Sequence, residues 1–240
     1  MINIFHTLVS EPLYNGLIFL IYKLPFFDVG VVIIIFTILI KIILLPLSIK
    51  ASKSQLQMKA TEKDIAQIKE KYKDKGEQGI KVMEYYKEKG INPFTAILVV
   101  FIQIPILIGL YRVFIGLPTI NTAFLYSFVG IPETINMTFL GLVNMGQKSL
   151  ILAILVGITT YIQTSLATGA QGDSQTKESS QVDFAKAMSF QMKYFLPPFI
   201  TAVVYNISSA VALYLFVSNI FSIAQEYYIK HKYHKNITVV

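Results

Sequence analysis

The fold of this chain is decided by residues 30–47, which read GVVIIIFTILIKIILLPL. Apart from Thr37 and Lys41 this run is apolar, and it is long enough to cross a bilayer as a helix. A cation near the middle of such a span costs roughly 2.5–3.5 kcal/mol on insertion scales, so it normally faces water, a partner charge or a substrate path. We therefore expect Lys41 to lie at the functional centre of the protein.

The overall composition agrees with a polytopic membrane protein. Of the 240 residues, 54% are hydrophobic and only 15% are charged, and the mean hydropathy of +0.56 is too high for an ordinary soluble domain. The chain has no cysteine, and its three histidines, His6, His231 and His234, lie at the chain ends. We therefore predict a protein that is not an enzyme, with no catalytic residue, metal site, cofactor or small-molecule substrate.

The polar block 48–92 holds most of the lysines, and the positive-inside bias places it in the cytosol. Opposite charges at helical spacing and apolar residues at i, i+3 and i+7 predict helix, with Gly76 and Gly79 interrupting it. We expect an antiparallel helical hairpin whose lysines also favour anionic lipid headgroups. Its candidate contact residues are lysines of the first half: Lys59, Lys63, Lys69 and Lys71.

The remaining apolar runs predict an all-α polytopic protein of five transmembrane helices in the cytoplasmic (inner) membrane, with the N-terminus outside and the C-terminus in the cytosol. The segments, in chain order, are an external interfacial helix 1–29, the first span 30–47, the helical hairpin 48–92, the second span 93–114, an external loop 115–147, the third span 148–168, a flexible cytosolic loop 169–187, the fourth span 188–206, which Pro197 and Pro198 kink or break, the fifth span 208–229 and a basic tail 230–240.

The charge of Lys41 lacks a carboxylate partner in this arrangement, because no acid lies in the middle of a predicted span. Water, a visiting carboxylate, or the polar side chains of Thr37, Gln103 and Gln163 must meet it. A wet cavity open to the cytosol satisfies this requirement. One alternative is that the first helix sits deeper toward the outside, which would leave Lys41 near the inner headgroups. Another is that Gln103 and Gln163 only form hydrogen bonds between helices.

Several transport mechanisms lack their sequence signals. The stretch GEQGIK, residues 76–81, has the wrong spacing for a phosphate-binding loop and follows no strand. Mid-membrane carboxylates for a proton relay are missing from the predicted spans. An ion channel would show polar stripes on several helices, whereas here the polar positions gather toward one side. These patterns favour a half-channel, that is, a polar cavity open to one side of the membrane.

The chain resembles the YidC/Oxa/Alb family of membrane protein insertases over most of its length. The resemblance rests on six stretches, which together are specific: KIILLPLSIK (41–50), KEKYKDKGEQG (69–79), YKEKGINP (86–93), QIPILIGLYRVF (103–114), GITTYIQ (157–163) and ALYLFVSNIFSIAQEYY (212–228).

The resemblance implies a five-helix core around a hydrophilic groove that opens to the cytosol and to lipid. The groove cation of the family, usually arginine, falls on Lys41, and a groove glutamine falls on Gln163. Lysine keeps the charge but loses the bidentate fork of arginine. Leu215 stands where many bacterial members have tryptophan.

Residues and resemblance together predict how a client would be inserted. The helical hairpin and tail receive a nascent membrane protein from the ribosome, and Lys41 attracts acidic residues of its translocated tail. The apolar client segment then leaves along a slide of apolar residues on the second and fifth spans: Ile104, Leu107, Val211 and Leu215. Cooperation with a Sec-type translocon stays open. Two other functions also stay open, a small anion-selective channel or transporter and a scaffold that tethers ribosomes or membrane proteins.

Overall fold

The computed structural model describes residues 6–117, 119–168 and 191–237, so the predicted loop 169–187 lies outside the described residues. Within these described ranges there are eight α-helices: α1 Glu11–Lys23, α2 Val29–Ala60, α3 Glu62–Lys71, α4 Lys75–Glu88, α5 Phe94–Gly116, α6 Leu150–Thr168, α7 Leu196–Tyr205 and α8 Ser209–Ile237. Short π-helical turns, His6–Ser10 and Gln191–Phe195, precede α1 and α7, and a 3-10 turn spans Thr122–Phe124.

In the described part of the chain, two helices are long and apolar enough to cross a membrane: Val29–Ala60 and the part of α8 from Ser209 to Lys232. Shorter apolar helices cover Ile102–Gly116 and Leu150–Leu166. The structure therefore agrees with a largely helical membrane protein. Apolar helices are the expected form, because a helix satisfies all its backbone hydrogen bonds within one segment in lipid.

Contacts divide the chain into two compact units, Met1–Lys41 with Pro105–Ala224, and Ile42–Ile104 with Gln225–Val240. In the first unit, α1, α2, α5, α6 and α8 all contribute side chains that are at most 1% exposed: Leu17, Ile33, Leu110, Val156, Val211 and Tyr214. The close packing of α6 on α7 depends on Gly157, where a Cβ would lie 2.0 Å from Thr201 Oγ1. Small residues of this kind let membrane helices approach closely.

The 119–147 loop of the first unit contains a short β-hairpin that the all-α prediction missed. Strand β1, Thr138–Phe139, pairs antiparallel with β2, Val143–Asn144. A tight turn at Leu140 and Gly141 joins them, with φ values of 50° and 72°. Positive φ at both central positions is the geometry that matches the twist of paired strands.

The same loop is fixed to the beginnings of three helices. The buried amide of Asn15 on α1 donates to Phe124 O at 2.8 Å and accepts from Tyr126 N at 2.7 Å. Val29 N, at the start of α2, donates to Asn136 O at 2.9 Å, and Ser209 N, at the start of α8, donates to Gln147 O at 2.7 Å. The starts of α1, α2 and α8 are therefore each bonded to this one loop.

In the second unit, α3 and α4 form a helical hairpin, but the break between them differs from the prediction. Gly76 and Gly79 lie inside α4, and the chain breaks at Tyr72–Asp74. The prediction that these glycines interrupt the helix was wrong because Asp74 caps α4, its carboxylate accepting from Glu77 N at 2.8 Å. A good N-cap outweighs the modest cost of glycine in a helix.

Candidate functional site

Lys41 lies on the inward-facing side of α2 in the first unit. Ile33, Phe36 and Ile40 on the same helix are buried, while Ile38 and Leu39 are 37% and 44% exposed. Lys41 itself is half-buried. One turn earlier, Thr37 is fully buried, and its hydroxyl donates to Ile33 O at 2.6 Å.

Ser222 of α8 is the hydrogen-bond partner of Lys41. Lys41 Nζ donates to Ser222 Oγ at 3.1 Å, and the Ser222 hydroxyl donates its own proton to Ser218 O at 2.9 Å. Because that proton is directed to the backbone, the oxygen presents a lone pair to the lysine. An ammonium has three donors, and this bond uses one of them.

Asn219 extends the polar surroundings from α8 to α6. Its side-chain amide donates to Thr159 Oγ1 at 3.2 Å and to Thr160 Oγ1 at 2.9 Å. We use the name polar cluster for two neighbouring hydrogen-bonded groups from α2, α6 and α8: Lys41, Ser222 and Ser218 in one, and Asn219, Thr159 and Thr160 in the other. Hydrogen bonds between membrane helices each contribute about 0.6–2 kcal/mol, so the cluster stabilises the contact between α6 and α8.

The hydrogen bond to Ser222 holds the lysine without neutralising its charge. Within the described part of the chain, no carboxylate forms an ion pair with Lys41. Nor does any group of three or more acidic or histidine side chains among those residues form a metal site. The arrangement therefore offers a fixed cation with donors to spare, and what it is chemically suited to bind is an anionic group such as a carboxylate.

The other predicted polar residues lie in different places. Gln163 is half-buried on α6, four residues after Thr159 and therefore on the same face of the helix. Gln103, also half-buried, belongs to the second unit on α5. Their roles in a groove stay predictions.

The predicted slide residues differ in exposure. Ile104, in the second unit, is 51% exposed, whereas Leu107 and Leu215, in the first unit, are half-buried. Val211 is only 1% exposed, so a client would reach it only after a neighbouring side chain moved. Client contact at these four positions stays a prediction.

The helical hairpin exposes three of its four predicted contact lysines. Lys63, Lys69 and Lys71 on α3 are exposed, and Lys59 at the end of α2 is half-buried. Tyr85 of α4 donates a short hydrogen bond to Asp64 of α3. This bond raises the pKa of Tyr85 to about 12.

Sequence reasoning missed Ser218, Asn219 and Ser222. The signal was present, because these are polar residues at i, i+1 and i+4 inside the otherwise apolar run 210–224. Residues i and i+4 share one helix face, so a polar stripe on α8 could have been proposed as the partner of Lys41.

Comparison with known proteins identifies several relatives of this chain. The model of the family described as 60Kd inner membrane protein matches residues 20–236. A membrane protein insertase YidC of Fusobacterium nucleatum is 32% identical over 205 residues, which cover 85% of this chain and 86% of the relative. A membrane protein insertase YidC 2 of Bacillus anthracis is 31% identical, covering 84% and 71%.

A third relative is much longer than this chain. The membrane protein insertase YidC of Chlorobium limicola is 30% identical over 203 residues, which are 83% of this chain but only 33% of the relative. The chain therefore spans about a third of the length of such relatives.

Proposed function

The chain belongs to the 60Kd inner membrane protein family and is a membrane protein insertase, and we propose that it inserts its clients through a groove centred on Lys41. The insertase prediction made from the sequence is confirmed by these relatives. Such an activity moves a polypeptide segment from water into lipid and makes or breaks no covalent bond. Its clients are membrane proteins.

The proposed topology has five spans, with the N-terminus outside and the C-terminus in the cytosol. The lysine-rich helical hairpin is cytosolic by the positive-inside bias. Support comes from the 119–147 loop, which holds the first residues of both α2 and α8. Two helices that begin at one loop start on one side of the membrane, as the proposed topology requires of the first and fifth spans.

In the proposed mechanism, Lys41 lowers the cost of bringing a short acidic tail partway across the bilayer. Ser222 holds the ammonium in place, and the remaining N–H donors bind a client carboxylate. Two unit charges about 4 Å apart attract by about 4 kcal/mol at an effective dielectric constant of 20. The apolar client segment then partitions into lipid, at about 0.8 kcal/mol for each buried CH₂ group.

The helical hairpin and the basic tail are the proposed receiving surfaces. The exposed lysines of α3 carry charge suited to ribosomal RNA and to anionic lipid headgroups. A Sec-type translocon is a further proposed partner. None of these contacts requires a cofactor.

The observation that carries the proposal is the lysine held by a serine hydroxyl in place of a carboxylate. The test is insertion of a single-span reporter with an acidic N-terminal tail into proteoliposomes, comparing wild type with Lys41→Arg, Lys41→Ala and Lys41→Glu. We expect Arg to retain activity, Ala to lose tenfold or more and Glu to lose still more, since each 1.4 kcal/mol of lost attraction to the client carboxylate corresponds to tenfold. Ser222→Ala keeps the charge and removes its hydrogen bond, so its loss should be smaller.

A reporter with a neutral tail is the matched control, and it should be affected much less by all four variants. Equal insertion of the acidic-tail reporter by wild type and Lys41→Glu would overturn the proposed role of Lys41. The insertase function would survive that outcome, and attention would move to the helical hairpin.

A further inference from the structure

The turn of the β-hairpin in the 119–147 loop carries two exposed leucines. Leu140 is 65% exposed and Leu142 is 84% exposed. Leu140 adopts φ 50°, a left-handed conformation that a bulky residue rarely takes. Turns of this type favour Asn-Gly or Asp-Gly, so neither the turn geometry nor contact with water accounts for leucine here.

The β-hairpin is fixed against the first turn of α2. The ring of Phe139 covers Gly30 so closely that a Cβ there would lie 2.2 Å from Phe139 Cδ2. Asp28 bridges the two elements, because one carboxylate oxygen accepts from Val31 N at 2.9 Å and the other accepts from Leu140 N at 3.1 Å. The leucine turn is therefore tied to the residue that caps α2.

That location is the boundary of the bilayer if α2 spans the membrane as proposed. The apolar run of α2 begins at Val29, so side chains bonded to its first turn lie at the level of the lipid headgroups. Phe26, just before Asp28, is 98% exposed and Phe27 is 50% exposed. The carboxylate of Asp28 is directed inward to two backbone amides, which leaves apolar side chains on both sides of it.

We propose that the leucine turn, together with Phe26, inserts into the outer leaflet of the bilayer and anchors the start of α2 at a fixed depth. A lipid surface fits this patch because its exposed side chains are aliphatic and aromatic, and because it adjoins the apolar run of α2. Lys41 lies eleven residues after Gly30, which places it roughly 16 Å deeper along the helix. The anchor thereby holds the groove cation near the middle of a hydrocarbon core about 30 Å thick.

The absence of tryptophan from the chain gives a clean experiment. Leu142→Trp in the full-length protein, reconstituted in phosphatidylcholine and phosphatidylglycerol vesicles, places one fluorophore at the turn. We expect blue-shifted emission, strong quenching by lipids brominated near the headgroup, and weak quenching by acrylamide. The matched control Lys73→Trp, in the turn of the helical hairpin, should emit at longer wavelength and be quenched by acrylamide.

A second reporter, Ile38→Trp, tests the span itself, because Ile38 is exposed on α2. Lipid quenching at position 38 with aqueous quenching at position 142 would overturn the anchor and leave the topology standing. Aqueous quenching at both positions would overturn the topology along with the anchor. Quenching at 142 that appears only when a client protein is added would assign the turn to protein binding and also overturn the lipid anchor.

A further variant distinguishes an effect on lipid anchoring from an effect on the stability of the fold. Leu140→Asn suits the left-handed turn but removes one apolar side chain from the patch. In the Leu142→Trp background it should leave thermal stability unchanged or higher while weakening lipid quenching about twofold or more. Unchanged quenching would contradict a role of Leu140 in anchoring.

Discussion

The 119–147 loop and the helical hairpin differ in how firmly each is held within its own unit. The loop has little regular secondary structure, yet buried polar side chains such as Asn15 bind its backbone directly. The helical hairpin is almost entirely helical, yet none of the residues of α4 is buried and Ile65 is the buried residue of α3. Regular secondary structure is therefore a poor guide to which region is tightly packed.

This difference suits the two tasks proposed for the regions. Local opening is easiest where few apolar contacts are buried, and a surface that receives varied clients benefits from such freedom. A loop that fixes the starts of α1, α2 and α8 must instead hold one geometry. Hydrogen bonds from side chains to backbone provide that geometry without a helix or a large sheet.

The largest expected effect comes from comparing a glycine-to-alanine substitution in the first unit with one in the second unit. Gly157→Ala places a methyl group against Thr201, and overpacking of this kind should destabilise the protein by up to about 3 kcal/mol. Thermal unfolding in detergent measures the change. Adding Thr201→Ala should recover part of the loss.

The control for that variant lies in α4. A Cβ at Gly79 meets nothing within 4 Å, so Gly79→Ala should stabilise the helix by up to about 1 kcal/mol. Equal losses of stability in Gly157→Ala and Gly79→Ala would contradict the contrast between tight packing around α6 and light packing around α4.

A smaller effect is expected at Asp28, which binds two backbone amides, Val31 N and Leu140 N. Asp28→Ala removes the cap of α2 and the tie to the β-hairpin, and should cost about 2 kcal/mol. Glu133→Ala is the matched control, because Glu133 is an exposed acid of the 119–147 loop and its loss should change stability by less than about 0.5 kcal/mol. Similar unfolding temperatures for both variants would refute the role assigned to Asp28.

The smallest effect is expected at Asp64, the acceptor for Tyr85 in the helical hairpin. Asp64→Ala should cost less than about 1 kcal/mol because the site is open to solvent. The raised pKa of Tyr85 means that the folded state holds the phenol proton more firmly. The stabilisation is therefore present below pH 10 and is lost as the pH rises toward about 12.

Phenolate absorbance during an alkaline titration measures this effect, with Tyr85→Phe identifying which tyrosine titrates late. In Asp64→Ala the late titration should disappear, because the hydrogen bond to Asp64 is its main cause. A late tyrosine that persists in Asp64→Ala would assign the shift to another neighbour.

Lys41 stands out in the sequence because an isolated charge in an apolar run is costly wherever the run lies in lipid, and its role in a groove stays a prediction. The polar residues of α8 mark candidate partners, but the pairing of Lys41 with Ser222, 181 residues away, is a tertiary property that the sequence pattern does not give. The break in the helical hairpin was misplaced because the capping of Glu77 N by Asp74 was overlooked. The β-hairpin was missed because Leu-Gly lacks the asparagine that usually marks such a turn.

The hydrogen bonds that join the 119–147 loop to α8 also set an order of events during synthesis. Met145 O and Gln147 O accept from Ala210 N and Ser209 N, and 62 residues separate Gln147 from Ser209 along the chain. The ribosome therefore delivers the acceptors well before the donors. An unfinished chain that stops before Ser209 lacks both bonds, so the end of the loop at Met145 and Gln147 gains these two hydrogen bonds only after the first residues of α8 have been synthesised.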